Sequence, residues 1–568
     1  MSTPADKTSA ADKAAEDLLA RTWLAEEQSA HGSSGSSRRV PAFVRRLGPI
    51  SVWVALLVFA IVLVRTAWLC DDAYITFRTV FNFVNGYGLT WNVAERVQAY
   101  THPLWMLLLS GFYALTGEMY FTPLVLSLVL ALAAACLLAF RVARTKGGAV
   151  VGLCIWIGSR ACVDFSTSGL ENPLVHLLLL LTFLAFMHAW RAWKVGLLCS
   201  ALLLLRTDLV LLLLPVLVVW WRSKEPQKLR PFLLGLTPLF LWHAFSLLYY
   251  GYLLPNTAQA KLGTGIARLD LARQGLVYLQ ESLHFDPLTL PVIALGCLAS
   301  IWLEWRQRAM ALGILLYLGY VVGIGGDFMS GRFLTVELVW SGALLIRGLE
   351  RLPRAVEWSL AIPLLVAGLL APYPSLTSGA DYGLERGNDF ADLEKAAAEI
   401  VGEDGISDER AWHYGLTGLL RVEFDGLRPI APLAGHPKYE EVQRLVASRK
   451  KVITTGAIGL RGFYLGPSVH IIDFNALADP LLSKLPVAHP EEWRISHFKR
   501  PIPCGYEKSI ESGENKLRDE NLAKVYDAIR LVTRGPLFTG ARLWEIVRLH
   551  TGRYGDALEA YANDEGCP

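Results

Sequence analysis

Charged residues are scarce in this chain of 568 residues: they make up 18% of it, whereas 53% is hydrophobic. That balance excludes an ordinary soluble globular protein, in which about a quarter of the residues are charged. The formal net charge of +3 does not indicate a polyanionic partner such as nucleic acid. The apolar residues form long runs between residues 50 and 372, separated by short basic clusters, which is typical of membrane-spanning helices.

Several catalytic signatures are also missing. The sequence has no P-loop, no dinucleotide-binding fingerprint and no serine–histidine nucleophile motif, so it indicates no soluble nucleotide donor. Its histidines show no metal-ligand spacing. No internal repeat is visible, although such repeats are common in transporters. There are 8 cysteines, and Cys504 and Cys567 can form a disulfide if the C-terminal region is extracytoplasmic.

The basic clusters predict the topology, because cytoplasmic loops carry an excess of Lys and Arg. Residues 1–47 are predicted to be a disordered cytoplasmic tail. They are not expected to be a cleavable signal peptide, because the apolar run that follows is as long as a full span. Keeping every basic cluster inside predicts eleven crossings and an external C-terminus. The predicted spans are 50–69, 121–141, 149–164, 172–190, two short spans within 195–221, 231–250, 288–304, 309–325, 332–347 and 356–372.

The segment 195–221 is the ambiguous one. As a single helix it would place Arg206 and Asp208 near the middle of the membrane and turn the next basic loop outward. As two short spans it places both side chains at the outer surface, which satisfies the charge rules. The two-span interpretation is therefore preferred. If it fails, the sidedness of everything after residue 195 changes.

The predicted fold class is a mainly α membrane protein with a C-terminal extracytoplasmic α/β domain. The transmembrane domain covers 48–372, and the external domain covers 373–568. The first external loop, 70–120, contains an interfacial or re-entrant helix at 103–117. In the external domain, periodicity predicts helices at 389–401 and 517–531 and strands at 452–455 and 469–473.

Five polar segments fall on the external side of this topology, which predicts a shared external cavity. They are Asp71–Asp72, Thr167–Asn172, Arg206–Asp208, Tyr249–Lys261 and Gly325–Arg332.

The adjacent carboxylates Asp71 and Asp72 are the central candidates for chemistry. The predicted first span ends just before them, and carboxylates at a helix C-terminus oppose the helix dipole, so stability does not explain them. Such a pair suits a general base with an orienting neighbour, or a site for a divalent cation. Metal dependence and the choice between the two aspartates stay open.

Three cations, Lys261, Arg332 and Arg206, are predicted to bind a phosphate beside the membrane. Each could instead be an interfacial residue, and Arg206 and Arg332 could pair locally with Asp208 and Asp327. Arg65 and Arg160, near span ends, fit snorkelling side chains better.

The sequence resembles the GT-C glycosyltransferases, and more specifically the terminal arabinofuranosyltransferases that use decaprenyl-phosphate arabinose. The resemblance covers about residues 50 to 560. The motifs that carry it are Asp71-Asp-Ala-Tyr-Ile-Thr-Phe-Arg78, Asn85-Gly-Tyr-Gly-Leu-Thr-Trp-Asn92, Glu95-Arg-Val, Tyr100-Thr-His-Pro-Leu-Trp105, Pro255-Asn-Thr with Lys261, Gly326-Asp-Phe-Met-Ser-Gly-Arg-Phe333, Trp493-Arg-Ile-Ser-His-Phe498, Pro503 and Gly505-Tyr-Glu507.

The resemblance implies an enzyme of the bacterial inner membrane that transfers D-arabinofuranose from a polyprenyl-phosphate donor to an external glycan or glycoconjugate. It implies that an acidic residue of the first external loop, Asp71 or Asp72, is central to catalysis. The candidates for sugar or acceptor contacts are Arg78, His102, Glu171, Asn256 and Asp327. The alternatives are a GT-C enzyme that uses a hexose such as mannose or a protein acceptor and, in another class, a transporter or flippase.

Overall fold

The computed structural model describes residues 42–222, 229–262, 264–379, 382, 400–425, 428–430, 437–448, 451–488, 490 and 493–562. Contacts divide the chain into two units, Met1–Ser51 and Val52–Pro568. In the first unit only residues 42–51 are described, as the start of a helix. The predicted tail therefore lies outside the described residues up to residue 41, and the predicted helix at 389–401 lies outside them up to residue 399.

The described residues are mainly helical, as predicted. In chain order the helices are α1 (Ala42–Thr66), α2 (Asp71–Val84), α3 (Pro103–Thr116), α4 (Phe121–Leu137), α5 (Lys146–Gly158), α6 (Arg160–Phe165), α7 (Asn172–Met187), α8 (Ala192–Leu203), α9 (Val210–Arg222), α10 (Leu229–Gly235), α11 (Thr237–Tyr249), α12 (Asn256–Leu262), α13 (Arg268–Phe285), α14 (Thr289–Ala299), α15 (Trp305–Gly323), α16 (Leu334–Leu349), α17 (Arg354–Leu369), α18 (Glu409–Thr417), α19 (Pro437–Ala447), α20 (Leu460–Leu465), α21 (Tyr506–Ser512), α22 (Glu520–Arg534), α23 (Gly540–His550) and α24 (Gly555–Ala562).

Membrane-spanning capacity is concentrated in a few of these helices. Within the described residues, Gly48–Thr66 and Phe121–Val142 are long and apolar enough to cross a bilayer by themselves. Two bent pairs, α10 with α11 and α13 with α14, would raise the number to four if each is one broken span. Four shorter apolar helices, α3, α5, α7 and α8, are the remaining candidates. The eleven crossings therefore stay a prediction.

The segment 195–221 is broken, as the two-span interpretation requires. Helix α8 ends at Leu203, Arg206 has an extended backbone, and α9 begins at Val210. Arg206 and Asp208 form an ion pair at this break, with 2.7 Å between Nη2 and Oδ2. The ion pair thus lies where the backbone turns instead of inside a continuous helix.

The environment predicted for the acidic pair was wrong. Helix α1 ends at Thr66, and Asp71 and Asp72 form the first turn of the next helix, α2. Carboxylates at a helix N-terminus are stabilised by the helix dipole. Both aspartates therefore have a structural reason for their position, which the sequence pattern did not show because the short break at 67–70 is itself apolar.

The C-terminal region contains the predicted strand–helix–strand unit. Strand β3 (Val452–Thr455) pairs in parallel with β4 (His470–Asp473), so that Val452 lies opposite His470, and α20 connects them. A short antiparallel pair, β1 (Glu423–Asp425) and β2 (Arg428–Ile430), precedes it. The predicted helix at 517–531 is α22, which begins at Glu520 and ends at Arg534.

This unit packs directly against residues of the segment 70–120. Ile75 of α2 and Trp91 share a buried apolar cluster with Ile453 and Ile471. The guanidinium of Arg78 lies over the Trp91 ring, 4.6 Å from its centroid. Helix α2 is therefore held between the helical bundle and the C-terminal α/β unit, which places Asp71 and Asp72 at their junction.

Candidate functional site

Side chains from all five predicted polar segments meet at one place. We call this group the site cluster: Asp72, Glu171, Arg206, Lys261, Asp327 and Arg332. Its members come from the start of α2, the residue before α7, the break between α8 and α9, the end of α12 and the loop before α16. The topology had predicted a shared cavity, and in the structure these residues are in mutual contact or electrostatic range.

Arg332 is the centre of the site cluster. Its Nη1 lies 3.6 Å from Asp72 Oδ2 and 3.5 Å from Asp327 Oδ2, and its Nη2 lies 3.8 Å from Glu171 Oε1. The Arg332 Nε is buried and forms no hydrogen bond within the described residues. These long, loose contacts leave the guanidinium with donor capacity for a ligand.

Glu171 is a buried anion that bridges the cations. It lies 3.7 Å from Arg206 Nη1, and its Oε2 is 3.0 Å from Nδ1 of His102. Burial raises the pKa of Glu171, but His102 and the two arginines outweigh it and hold that pKa well below its usual range. On its other side, His102 contacts the Thr76 hydroxyl at 2.8 Å through Nε2.

Arg206 is more fully satisfied than Arg332. Besides its bond to Asp208, its Nη2 donates to the Tyr317 hydroxyl at 2.9 Å, and that hydroxyl donates to Asp208 Oδ2 at 2.9 Å. The guanidinium also lies over the ring of Phe333, 4.5 Å from its centroid. Arg206 is thus held in place by Asp208 and Tyr317, and its positive charge stabilises the Glu171 carboxylate.

The two adjacent aspartates have different environments. Asp71 Oδ1 accepts a hydrogen bond from the Leu460 backbone N–H at 2.8 Å. A Cβ at Gly459 would lie 2.3 Å from Asp71 Oδ2, so only glycine permits this approach. Asp71 therefore joins α2 to the C-terminal unit.

Asp72 faces the cations instead, and 28% of its side chain remains exposed. Burial among protein atoms raises its pKa to about 6, against the opposing effect of Arg332 and Lys261. Asp71 and Asp327 add to the increase. A carboxylate with a pKa of about 6 is suited to accept a proton near neutral pH.

Lys261 is the most accessible cation of the cluster. Its side chain is exposed, and Nζ donates to Ser496 Oγ at 3.2 Å. Ser496 donates in turn to Asp327 Oδ1 at 3.4 Å. Among the residues with described side chains, Lys261 forms no ion pair within 4.0 Å, so its charge is available to an incoming anion.

Two predicted contact residues do not join the cluster. Arg78 donates to the backbone carbonyls of Trp91, Gly462 and Val469, which uses its guanidinium to hold chain segments together. The Asn256 amide donates to three carbonyls between residues 476 and 479. Both side chains are buried and satisfied, so these contacts give no geometric support for sugar binding by either one.

Three residues that complete the site were not predicted: Thr76, Tyr278 and Ser496. The Tyr278 hydroxyl donates to Met329 O at 3.3 Å and accepts from the Phe333 N–H at 3.2 Å, which holds the loop that carries Asp327 and Arg332. Ser496 lies in one of the recognised motifs, and that was an available signal. Tyr278 lies in an amphipathic helix without any motif.

The site cluster does not form a metal site as it stands. Within the described residues, no group of three or more His, Cys, Asp or Glu is arranged to hold a metal ion. Asp71 is bonded to a backbone N–H, and Asp72 faces Arg332.

The chain is similar to the terminal beta-(1->2)-arabinofuranosyltransferase of Mycobacterium tuberculosis, with 27% identity over 351 residues. The match covers 51% of this chain and 54% of that protein, so the chain spans about half the length of the relative. No protein-family model matches the chain, and no solved structure matches it. The similarity to terminal arabinofuranosyltransferases that the motifs indicated is confirmed.

Proposed function

We propose that this chain is a membrane glycosyltransferase that transfers D-arabinofuranose from a polyprenyl-phosphate donor to an external glycan or glycoconjugate. The observation that carries the proposal is the meeting of Asp72 with Arg332 and Lys261 at a partly open site. The similarity to an arabinofuranosyltransferase supports the reaction class and the sugar. We place the enzyme in the bacterial inner membrane, with the site cluster and the C-terminal domain on the external side.

In this proposal the donor phosphate binds between Lys261 and Arg332. Lys261 is exposed and unpaired by carboxylates in the described structure, and Arg332 retains a buried Nε without a hydrogen bond. Two cations that contact the phosphate oxygens stabilise the negative charge that develops on the leaving group. Their position beside apolar helices suits a donor whose lipid stays in the bilayer.

Asp72 acts as the general base. Its carboxylate accepts the proton of the acceptor hydroxyl, whose oxygen forms the new bond to the anomeric carbon. The bond from that carbon to the phosphate oxygen breaks, and its electron pair leaves with the polyprenyl phosphate. Asp72 then releases its proton to solvent, and its 28% exposure provides a route.

Glu171, His102 and Arg206 are proposed to orient the groups that react. Glu171 contacts both arginines and His102, so it keeps Arg332 directed towards Asp72. Asp327 contacts Arg332 and receives the Ser496 hydrogen bond, which connects it to Lys261. We propose a sugar or acceptor contact for Asp327, and positioning roles for Glu171, His102 and Arg206.

Helix α3 is proposed to shape the donor entrance. Trp105 is buried and donates from Nε1 to Gly169 O at 2.9 Å, beside the segment that carries Glu171. Further along α3, the side chains of Leu107, Phe112 and Leu115 are exposed. An apolar helix that begins against the site and exposes apolar side chains beyond it is suited to guide a lipid chain.

The test is sugar transfer by the purified full-length chain in lipid nanodiscs, with decaprenyl-phosphate arabinose and a mannose counterpart as parallel donors. We expect transfer of arabinose and loss of about 10²–10⁴-fold in kcat for Asp72→Asn, the range of general base catalysis. Asp527→Asn, the same change at an exposed helix position, is the control.

The possible results separate the proposals. Transfer of mannose but not arabinose would retain the glycosyltransferase and overturn the sugar. Undiminished activity in Asp72→Asn would overturn the assignment of the base. The absence of transfer from either donor, together with donor movement between leaflets, would favour a flippase.

A further inference from the structure

The C-terminal region carries an apolar surface that the sugar-transfer proposal does not use. Helix α23 exposes Leu543, Trp544 and Val547, and Phe538 precedes it in the chain. The exposed fractions are 80% for Phe538 and 57% for Trp544. Large exposed apolar patches on a water-soluble domain indicate an interaction surface.

The two faces of α23 have opposite roles. Arg542, Glu545 and Ile546 are buried on the face that packs against the protein. At 100° per residue, Leu543, Trp544 and Val547 lie within one stripe on the other face. Folding thus accounts for the inner face and leaves the apolar outer stripe exposed.

Helix α23 is attached to the C-terminal end of α11. Arg542 donates to Leu248 O at 2.7 Å and to Tyr249 O at 3.0 Å. These are carbonyls of the last turn of α11, which have no partners within the helix. Helices α10 and α11 together are long and apolar enough for one span bent by 50°, and α23 is attached to the C-terminal end of this pair.

The packing at this end is close and rigid. Gly251 has φ +85°, and a Cβ there would lie 2.2 Å from Val532 Cγ1 of α22 and 3.4 Å from Ile546 Cγ1 of α23. The tilted rings of Tyr252 and His550 have centroids 5.4 Å apart. The C-terminal helices are therefore packed closely against the end of α11.

Exposed apolar side chains lie on both partners of this contact. Phe245 and Leu248 are exposed near the end of α11, Leu253 and Leu254 follow it, and Trp544 is exposed on α23. Aromatic residues such as Trp concentrate at the membrane–water interface. Exposed apolar side chains on an apolar helix pair and on the helix attached to its end favour lipid over a second protein or a glycan.

Basic residues border the stripe. Arg548 is exposed, and its guanidinium lies over the Trp544 ring at 5.6 Å from the centroid. Arg553 is also exposed, just beyond the end of the helix. Cations beside an apolar stripe match the anionic headgroups above an acyl layer.

We propose that α23, with Phe538, is an interfacial helix that inserts its apolar stripe into the outer leaflet and seats the C-terminal domain on the membrane. The partner is the lipid surface. Seating would keep the C-terminal unit, whose Leu460 N–H binds Asp71, at a constant height above the bilayer.

The test is depth-dependent fluorescence quenching in the full-length chain. Trp544→Cys and Val547→Cys are labelled with an environment-sensitive fluorophore in nanodiscs that hold one copy each, with doxyl-labelled lipid as the quencher. The matched control is Glu511→Cys, an exposed position on α21. Wild-type protein treated in the same way supplies the background from its free cysteines.

We expect quenching at 544 and 547 to be roughly twofold or more above that at 511, because an interfacial helix buries its apolar face by about 5–10 Å. Equal quenching at all three positions would overturn the proposal. Labels that respond to added acceptor glycan but not to quencher lipid would also overturn it, in favour of a carbohydrate surface. Sugar transfer plays no part in this readout, so the result does not depend on the proposed function.

Discussion

Two arginine–carboxylate clusters of similar composition lie in this molecule, and they are built differently. The site cluster has loose contacts of 3.5–3.8 Å around Arg332 and an accessible edge at Lys261 and Asp72. The second, which we call the lock cluster, consists of Arg160, Asp164, Tyr382, Asp408 and Arg410.

The lock cluster is more deeply buried, and one of its contacts is much shorter. Arg410 Nε lies 2.6 Å from Asp164 Oδ1, and Arg160 contacts both Asp164 and Asp408. Arg410 also stacks on Tyr382, 3.7 Å from the ring centroid. Burial raises the pKa of Asp408, but the two arginines outweigh that effect, so the pKa is lowered. Arg160 is thus a buried partner of the Asp408 side chain, which belongs to the C-terminal region. The prediction of Arg160 as a snorkelling side chain was wrong.

The comparison shows how one set of residue types serves two purposes. In the lock cluster the short contacts join α6 to α18, which ties the C-terminal region to the helical bundle. In the site cluster the contacts are long, one carboxylate has a raised pKa and one cation is exposed. Short contacts between fully buried charges contribute to structure, and longer contacts beside an exposed cation leave room for a substrate.

The largest stability effect is expected in the lock cluster. Asp408→Asn removes a negative charge that balances the buried guanidinium groups of Arg160 and Arg410. Removal of one partner of a buried ion pair lowers the free energy of unfolding by about 3–5 kcal/mol. Thermal unfolding of the purified protein in detergent measures the change. Asp527→Asn at the surface should change stability by no more than about 1 kcal/mol. A similar small effect for Asp408→Asn would remove the distinction between the two clusters.

Glu171→Gln should lower activity. It removes the anion that contacts Arg206, Arg332 and His102, so Arg332 is no longer held towards Asp72. We expect kcat to fall about 10–100-fold, within the range for electrostatic and positioning groups. Steady-state transfer kinetics test this, and Glu511→Gln is the surface control. Wild-type kcat in a folded Glu171→Gln variant would contradict the proposed role.

Lys261→Met should weaken donor binding. The loss of one exposed cation that contacts the phosphate is expected to raise KM for the lipid donor about tenfold, equivalent to about 1.4 kcal/mol. The kcat should change less than KM. Lys508→Met, at an exposed position on α21, should leave both constants unchanged. An unchanged donor KM in Lys261→Met would place the phosphate elsewhere.

The smallest expected effect is a shift in pH dependence. Asp72 must be deprotonated to act as a base, and its pKa is raised to about 6. The kcat/KM should therefore fall as the pH drops below about 6. Because Lys261 lowers the pKa of Asp72, Lys261→Met should move this acidic limb to higher pH. A profile that moves in the opposite direction would show that another group controls the limb.

Much of the candidate site was predictable from residue type and sidedness. Asp72, Glu171, Lys261, Asp327 and Arg332 were all candidates, because charged residues beside apolar runs need a reason to be there. Arg78 and Asn256 were also candidates, and the structure instead uses them as donors to backbone carbonyls. The sequence pattern around an arginine does not show whether its side chain is a buried structural donor or binds a ligand.

The disulfide expectation was met only in part within the described residues. Cys504 is disulfide-bonded, and the other six cysteines that the structure describes are free. Cys567 lies outside the described residues. The sequence shows two cysteines in the C-terminal region. The distance between them depends on how the helices between residues 504 and 567 pack, which the sequence pattern does not show.

The sequence by itself determined the membrane character, the strand–helix–strand unit and the set of charged residues available for chemistry. Hydrophobic periodicity and charge are local properties, so they can be interpreted without a structure. Only the tertiary structure decided that Asp71 binds a backbone N–H while Asp72 faces Arg332. Adjacent identical residues cannot be distinguished by composition. Their difference comes from contacts with segments hundreds of residues away, which exist only after the C-terminal unit has packed against α2.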